Sequence, residues 1–128
     1  MIARGIEFVG LGKSDLDVTD TDAVNRTLQK QNPDVVFHCA AFTAVDRAES
    51  EQSLAFSVNR DGARSVALAC GEMAARMVFF STDYVFSGTK QASYSPCDQP
   101  DPISSYGRSK LAGETEILAS GVDVLLIR

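Results

Sequence analysis

Short unbroken apolar runs alternate along this chain with segments whose apolar positions recur every three to four residues, and that alternation predicts strand following helix following strand. Residues 35–40 (VVFHCA), 77–80 (MVFF) and 122–127 (VDVLLI) are runs of the kind expected for strands covered on both faces of a parallel sheet. Residues 6–11 are a candidate first strand and 15–18 a short second one, ended by the turn-and-cap cluster Thr19, Asp20, Thr21 and Asp22. A helix is predicted next, with Val24 and Leu28 on one face and Pro33 just past its end. Residues 50–75 support a long or kinked helix, with Leu54, Val58, Val66 and Cys70 near helical spacing and Gly62 permitting a close approach. Residues 96–105 read as a loop and 106–118 as a further helix. The pattern is that of an α/β protein with an open, doubly wound parallel sheet, Rossmann-like, with helices on both faces and its chemistry beyond the C-terminal ends of the strands.

Composition narrows the function classes. With 128 residues, 45% of them hydrophobic, the chain suits one domain with one core. No apolar run approaches the roughly 18 residues that span a bilayer, and the first ten residues lack a basic stretch followed by an apolar one, so no membrane partner and a cytoplasmic location are expected. Cys39, Cys70 and Cys97 lack metal-type spacing, and His38 is the one histidine, which argues against zinc and against a disulfide framework. A net charge of −5 without any Lys/Arg run argues against nucleic acid.

Candidate chemistry gathers in two places. In Tyr106-Gly107-Arg108-Ser109-Lys110, the i,i+4 spacing on a helix stacks a phenol and an ammonium on one face. At about 4 Å and an effective dielectric near 20, such an ammonium stabilises a phenolate by up to about 4 kcal/mol, enough to bring proton exchange toward neutral pH. By itself the spacing fits any surface Tyr and Lys. The second place is 81–86 (STDYVF), which sets hydroxyls where the strand 77–80 ends; alone, it fits a turn-forming cluster better. Together, a hydroxyl donor at one strand end and a Tyr/Lys pair at the start of the next helix can converge on one carbonyl oxygen, which describes a site for carbonyl reduction. At the end of the first candidate strand, where NAD-selective folds carry an acid for the ribose 2′-hydroxyl, stand Lys13 and Ser14, which suit a 2′-phosphate and favour NADPH. Two glycine patterns are decoys: Gly10-Leu11-Gly12 has Asp15 in place of a third glycine, and Gly12-Lys13-Ser14 has Glu7 in place of the first glycine of a P-loop.

S-T-D-Y-V-F, then Y-G-R-S-K-L-A-G-E, both preceded by H-C-A-A-F-T-A-V-D-R-A-E, resemble in order and spacing the dTDP-4-dehydrorhamnose reductases, which are extended short-chain dehydrogenases. The resemblance runs from about residue 8 to residue 128. It implies an oxidoreductase that uses NADPH or NADH to reduce the 4-keto group of a nucleotide-linked deoxysugar, dTDP-4-dehydrorhamnose to dTDP-rhamnose. It implies that Tyr106 donates the proton, that Lys110 lowers its pKa and holds the nicotinamide ribose, and that Thr82 bonds the same ketone oxygen. Thr82 and Asp83 resemble sugar contacts, Ala41, Phe42 and Thr43 resemble the segment lining the cofactor, and Asp17 and Val18 resemble the pair flanking adenine. Asn59 matches an asparagine that supports a proton-relay water, although a buried helix asparagine satisfied by backbone is an equal reading.

There are departures from the family pattern. The family's first strand, glycine-rich pyrophosphate turn and most of its first helix are expected ahead of Met1, and its sugar-binding region after Arg128. The 128 residues are therefore expected to be a truncated NAD(P)-binding domain without a substrate domain, weak in cofactor binding by itself, with a homodimer or a completing chain as candidate partners. Pro96 stands where a glutamate is usual, and His38 where asparagine is common. A non-catalytic binding module, similar to the regulatory subunits of methionine adenosyltransferase, and an inactive fragment are the competing readings.

Overall fold

The computed structural model describes residues 6–128. Its first helix, α1 (Thr21–Gln31), begins where the cap cluster predicts: Asp20 is extended and its carboxylate accepts the Ala23 N–H at 2.9 Å. It ends at Asn32, whose left-handed conformation (φ 44°) returns an N–H to the Leu28 carbonyl ahead of Pro33. Three strands follow at intervals: β1 (Val35–His38), β2 (Arg76–Phe80) and β3 (Val124–Ile127). They form one parallel sheet in the order β1-β2-β3, with Phe37 beside Val78 and Val78 beside Leu125.

The predicted long helix between the first two strands is kinked into pieces: α2 (Val45–Ser50), α3 (Gln52–Phe56), a π-helical stretch (Ser57–Gly62) and α4 (Ala63–Glu72). The extra residue per turn rotates Asn59 and Gly62 into the interior. Gly62 then lies so close to Val18 that a Cβ would stand 2.8 Å from its Cγ2, which is the close approach expected of that glycine. After a short turn at Asp83–Val85, α5 (Ser105–Ala119) packs across the π-helical stretch, α3 and α4 and leads to β3.

The helices cover one face of the sheet. Val24 and Leu28 of α1, Val66 and Cys70 of α4 and Ile117 of α5 close over Met77 and Phe79 to form the main core. Val35, Phe37, Phe80, Leu125 and Ile127, on the alternate face, are exposed. Handedness explains the asymmetry. A right-handed crossover puts its helix on a face set by the direction of travel across the sheet, and β1 to β2 to β3 is travel in one direction only. The apolar runs correctly mark strands that are apolar on both sides, but helices on both faces require a reversal of strand order that the described residues do not contain.

Two strand expectations fail. Residues 6–11 join no ladder, because a strand exists only where a neighbour takes its backbone groups, and no described segment lies along them. Residues 15–18 form turns instead of a second strand. The Gly12 carbonyl accepts the Asp15 and Leu16 N–H groups, the Asp15 carboxylate accepts the Gly12 N–H, and the Asp17 carboxylate accepts both the N–H and the hydroxyl of Thr19. Short acidic side chains have supplied local partners in place of a ladder. No helix among the described residues is long and apolar enough to cross a membrane.

The packing of α5 depends on Gly113, where a Cβ would stand 2.2 Å from the Asn59 carbonyl oxygen. Gly113→Ala is expected to destabilise the fold by about 1–3 kcal/mol in denaturant titration, the overlap outweighing a helix-propensity gain of about 1 kcal/mol. An alanine variant as stable as the wild type would show that α5 can retreat from the π-helical stretch.

Candidate active site

Helix α5 carries the site on one stripe. Tyr106, Lys110 and Glu114 follow one another at i, i+4 and i+8, and all three are buried, at 8%, 2% and 1% exposure. The N-terminus of the helix is tied down twice. Ser104 accepts the Gly107 N–H at 3.0 Å, and Glu49, reaching from α2, accepts the backbone N–H and the hydroxyl of Ser105, each at 2.7 Å. Those bonds, with help from Arg108, hold the Glu49 carboxyl below the usual carboxylate range. Gly107 lets this first turn press against the Asp83–Val85 turn, since a Cβ there would stand 2.2 Å from the Tyr84 carbonyl oxygen. Tyr106 consequently meets Tyr84 edge to face, with ring centroids 5.6 Å apart, and packs on Ala48 and Ala55. No described protein group bonds its hydroxyl.

Lys110 reaches back to the end of β2. Its Nζ donates to the Phe80 carbonyl at 2.7 Å and lies 4.2 Å from the centre of the Phe79 ring. Burial pulls its pKa down to about 8, against the opposing pull of Glu114. Two residues beyond Phe80, the Thr82 hydroxyl accepts the Tyr84 N–H at 3.2 Å and donates to the Asp83 carboxylate at 3.3 Å, a long bond that a better acceptor could displace. Thr82, Tyr106 and Lys110 are thus gathered at the C-terminal end of β2, where the sequence places them.

The segment after β1 is held from below. The Asn59 side-chain oxygen accepts the Phe42 N–H at 2.8 Å, and its amide nitrogen donates to the Phe42 carbonyl at 3.0 Å and to the Ser109 hydroxyl at 2.9 Å. The Ser109 hydroxyl in turn donates to the Tyr106 carbonyl at 2.7 Å. Of the two readings of Asn59, this is the satisfied structural one, and it fixes Ala41, Phe42 and Thr43 beside the α5 stripe. Val18 joins the same assembly through Gly62, whereas Lys13, Ser14 and Asp17 sit on the exposed turn region before α1, with no bond to the Tyr106 group. The Asp17 carboxyl is kept low by the Thr19 N–H and hydroxyl. Sequence reasoning passed over Glu114, Glu49 and Ser109. Glu114 was open to discovery, because the i,i+4 step that pairs Tyr106 with Lys110 pairs Lys110 with it.

A family model described as RmlD substrate binding domain matches residues 1–128. The chain belongs to this family. Its relatives include the dTDP-4-dehydrorhamnose reductase of Mycolicibacterium smegmatis, 42% identical over 127 residues that cover 98% of this chain and 38% of that protein. Among solved structures, a dTDP-4-dehydrorhamnose reductase of Bacillus anthracis in complex with NADP superposes with a TM-score of 0.90 at 40% identity, covering 92% of this chain and 42% of the other. An ortholog from Clostridium acetobutylicum superposes with a TM-score of 0.95 at 36% identity, covering 98% and 45%. The chain therefore spans less than half the length of these RmlD-family relatives.

His38, at the end of β1, is buried in near-parallel stacking on Phe79 at 5.8 Å, and its Nε2 has no partner among the described residues. Burial, reinforced by the Lys110 charge, lowers its pKa to about 4, so the folded protein holds it neutral. The unfolded chain takes up this proton near pH 6.5 and the folded chain only near 4, so stability is expected to fall as pH drops between those values. The loss is up to about 3 kcal/mol. As His38 is the single histidine, urea titrations at a series of pH values should show this slope above pH 5 and lose it in His38→Phe. An unchanged slope in that variant would contradict the assignment.

Proposed function

We propose that this chain carries the proton-donating half of an NADPH-dependent reduction at the 4-keto group of a dTDP-linked 6-deoxysugar, converting dTDP-4-dehydrorhamnose to dTDP-rhamnose. The observation that carries the reading is the buried Tyr106–Lys110 stripe anchored on the Phe80 carbonyl beside Thr82, in a chain 42% identical to a reductase of that name. The 128 residues are read as part of a Rossmann-like NAD(P)-binding domain.

The residues suit such a cofactor. The Lys110 ammonium has three N–H groups and spends one on Phe80, which leaves two for ribose hydroxyls. Ala41, Phe42 and Thr43 are fixed beside it, and Lys13 and Ser14 are exposed and able to meet a 2′-phosphate. The bound cofactor supplies the hydride to the carbonyl carbon. Tyr106, its hydroxyl unclaimed by described protein groups, gives its proton to the carbonyl oxygen as negative charge develops there, and Lys110 stabilises the phenolate left behind. Thr82 turns its hydroxyl from Asp83 to the same oxygen, and Asp83 is released to accept from a sugar hydroxyl.

A chimera in which these residues replace the matching segment of the Mycolicibacterium smegmatis reductase provides the assay. Tyr106→Phe should cut turnover by roughly 10² or more with cofactor affinity nearly unchanged. Retention of more than half the activity would remove Tyr106 from the mechanism. In the same chimera, Lys13→Ala should weaken NADPH by about 1–3 kcal/mol more than NADH, as read by calorimetry. Equal losses for the two cofactors would remove the reason for preferring NADPH.

A further inference from the structure

A buried ammonium needs more than dipoles around it. The carbonyl of Phe80 and the ring of Phe79 stabilise the Lys110 cation but carry no net charge, so desolvation presses the group toward the neutral amine. The ionisable groups about it can be named from each packed element. His38, from β1, is kept neutral; Tyr106 precedes Lys110 by one turn on α5; Glu114 follows it by one turn; and Arg128, just past β3, is bonded to Glu114. Glu114 is the one anion in this set.

The Glu114 carboxylate is itself saturated with donors. Arg128 Nη2 donates at 2.6 Å and its Nε at 3.1 Å, and the Ser81 hydroxyl donates to the other side. Three segments meet at this carboxylate: the donors Ser81 and Arg128 follow β2 and β3, and the acceptor Glu114 lies on α5. The Ser81 N–H also bonds the Ile127 carbonyl at 2.7 Å, which extends the sheet ladder to the carboxylate. Ser81 is flanked by Phe80, whose carbonyl holds Lys110, and by Thr82.

We propose that Glu114 is a positioning residue for Tyr106, Lys110 and Thr82: its buried carboxylate, clamped by Arg128 and Ser81, is the counter-charge that keeps Lys110 an ammonium inside the protein and fixes the end of β2 against α5. The catalytic consequence rests on the reading of Tyr106 and Lys110 given above, whereas the charge coupling can be measured without turnover. The failure of one is therefore distinguishable from the failure of the other.

The test follows the Lys110 side chain by NMR in the 128-residue chain labelled with 13C-lysine, the signal assigned through Lys110→Arg. The wild-type midpoint should lie well below that of a free lysine. Glu114→Gln, which keeps the side-chain shape and removes the charge, should lower it further by about one unit, a tenfold loss of proton affinity. A carboxylate that only ties Arg128 to the helix would leave the midpoint unmoved even if the variant were less stable. Should Glu114→Gln not fold, Glu114→Met/Arg128→Met exchanges the buried pair for apolar groups of similar length, a replacement that buried ion pairs often tolerate; because the Arg128 cation leaves with the carboxylate, a smaller fall in the same direction is expected. A Lys110 midpoint unchanged in whichever variant is folded would overturn the proposal.

Discussion

An ammonium group buried as deeply as Lys110 loses several kcal/mol of hydration, and the protein around it has to return that energy. The return comes from a hydrogen bond to the Phe80 carbonyl, a cation–π contact with Phe79 and the charge of Glu114, with magnitudes of about 1.5–3 kcal/mol for a hydrogen bond to a charge and about 2 kcal/mol for a desolvated ring contact. The compensation is incomplete. A pKa of about 8 in place of 10.5 leaves the charged form disfavoured by about 3 kcal/mol relative to the unfolded chain. Because the folded chain sheds this proton first, the penalty is present below pH 8 and fades as pH rises toward 10.5. Each contact that limits the penalty also fixes an element: Phe79 and Phe80 set the end of β2, Glu114 sets α5, and Arg128, through Glu114, sets the end of β3.

The same economy of contact explains the glycines. Gly107 and Gly113 lie on α5 where backbone from the Asp83–Val85 turn and from the π-helical stretch comes within a Cβ's radius. Without those two approaches the helix would stand off from the sheet, and Lys110 would lose Phe80 and Ser109 would lose Asn59. The π-helical turn is the reciprocal adjustment, since it brings Asn59 inward to bond Phe42 on one side and Ser109 on the other. The loop after β1, the broken helix and α5 are thereby joined through one amide.

Much of this was legible in the residues. The apolar runs located all three strands of the sheet, the cap cluster located the start of α1, and Gly62 announced a close approach. The Tyr-x-x-x-Lys step and the hydroxyls of 81–86 named the residues that the fold then brings to one edge. What was not legible depends on partners distant in sequence. Residues 6–11 have strand chemistry, but strand formation needs a neighbour that pattern alone cannot supply. Residues 15–18 were lost to local carboxylate bonds that compete with a ladder. The covering of one sheet face follows from the order of strands, which a list of elements does not contain, and the break into a π-helical turn follows from packing against α5.

On the proposed reading, Tyr106 and Thr82 act on one oxygen beside Lys110. It is tested most directly by deuteride transfer from labelled NADPH to C4 of the 4-keto sugar in the chimera, compared among Thr82→Val, Tyr106→Phe and the double variant. Two groups serving a single oxygen lose function as a unit, so the double variant should be little worse than the poorer single one. Losses that multiply, each residue acting independently of the other, would contradict the account.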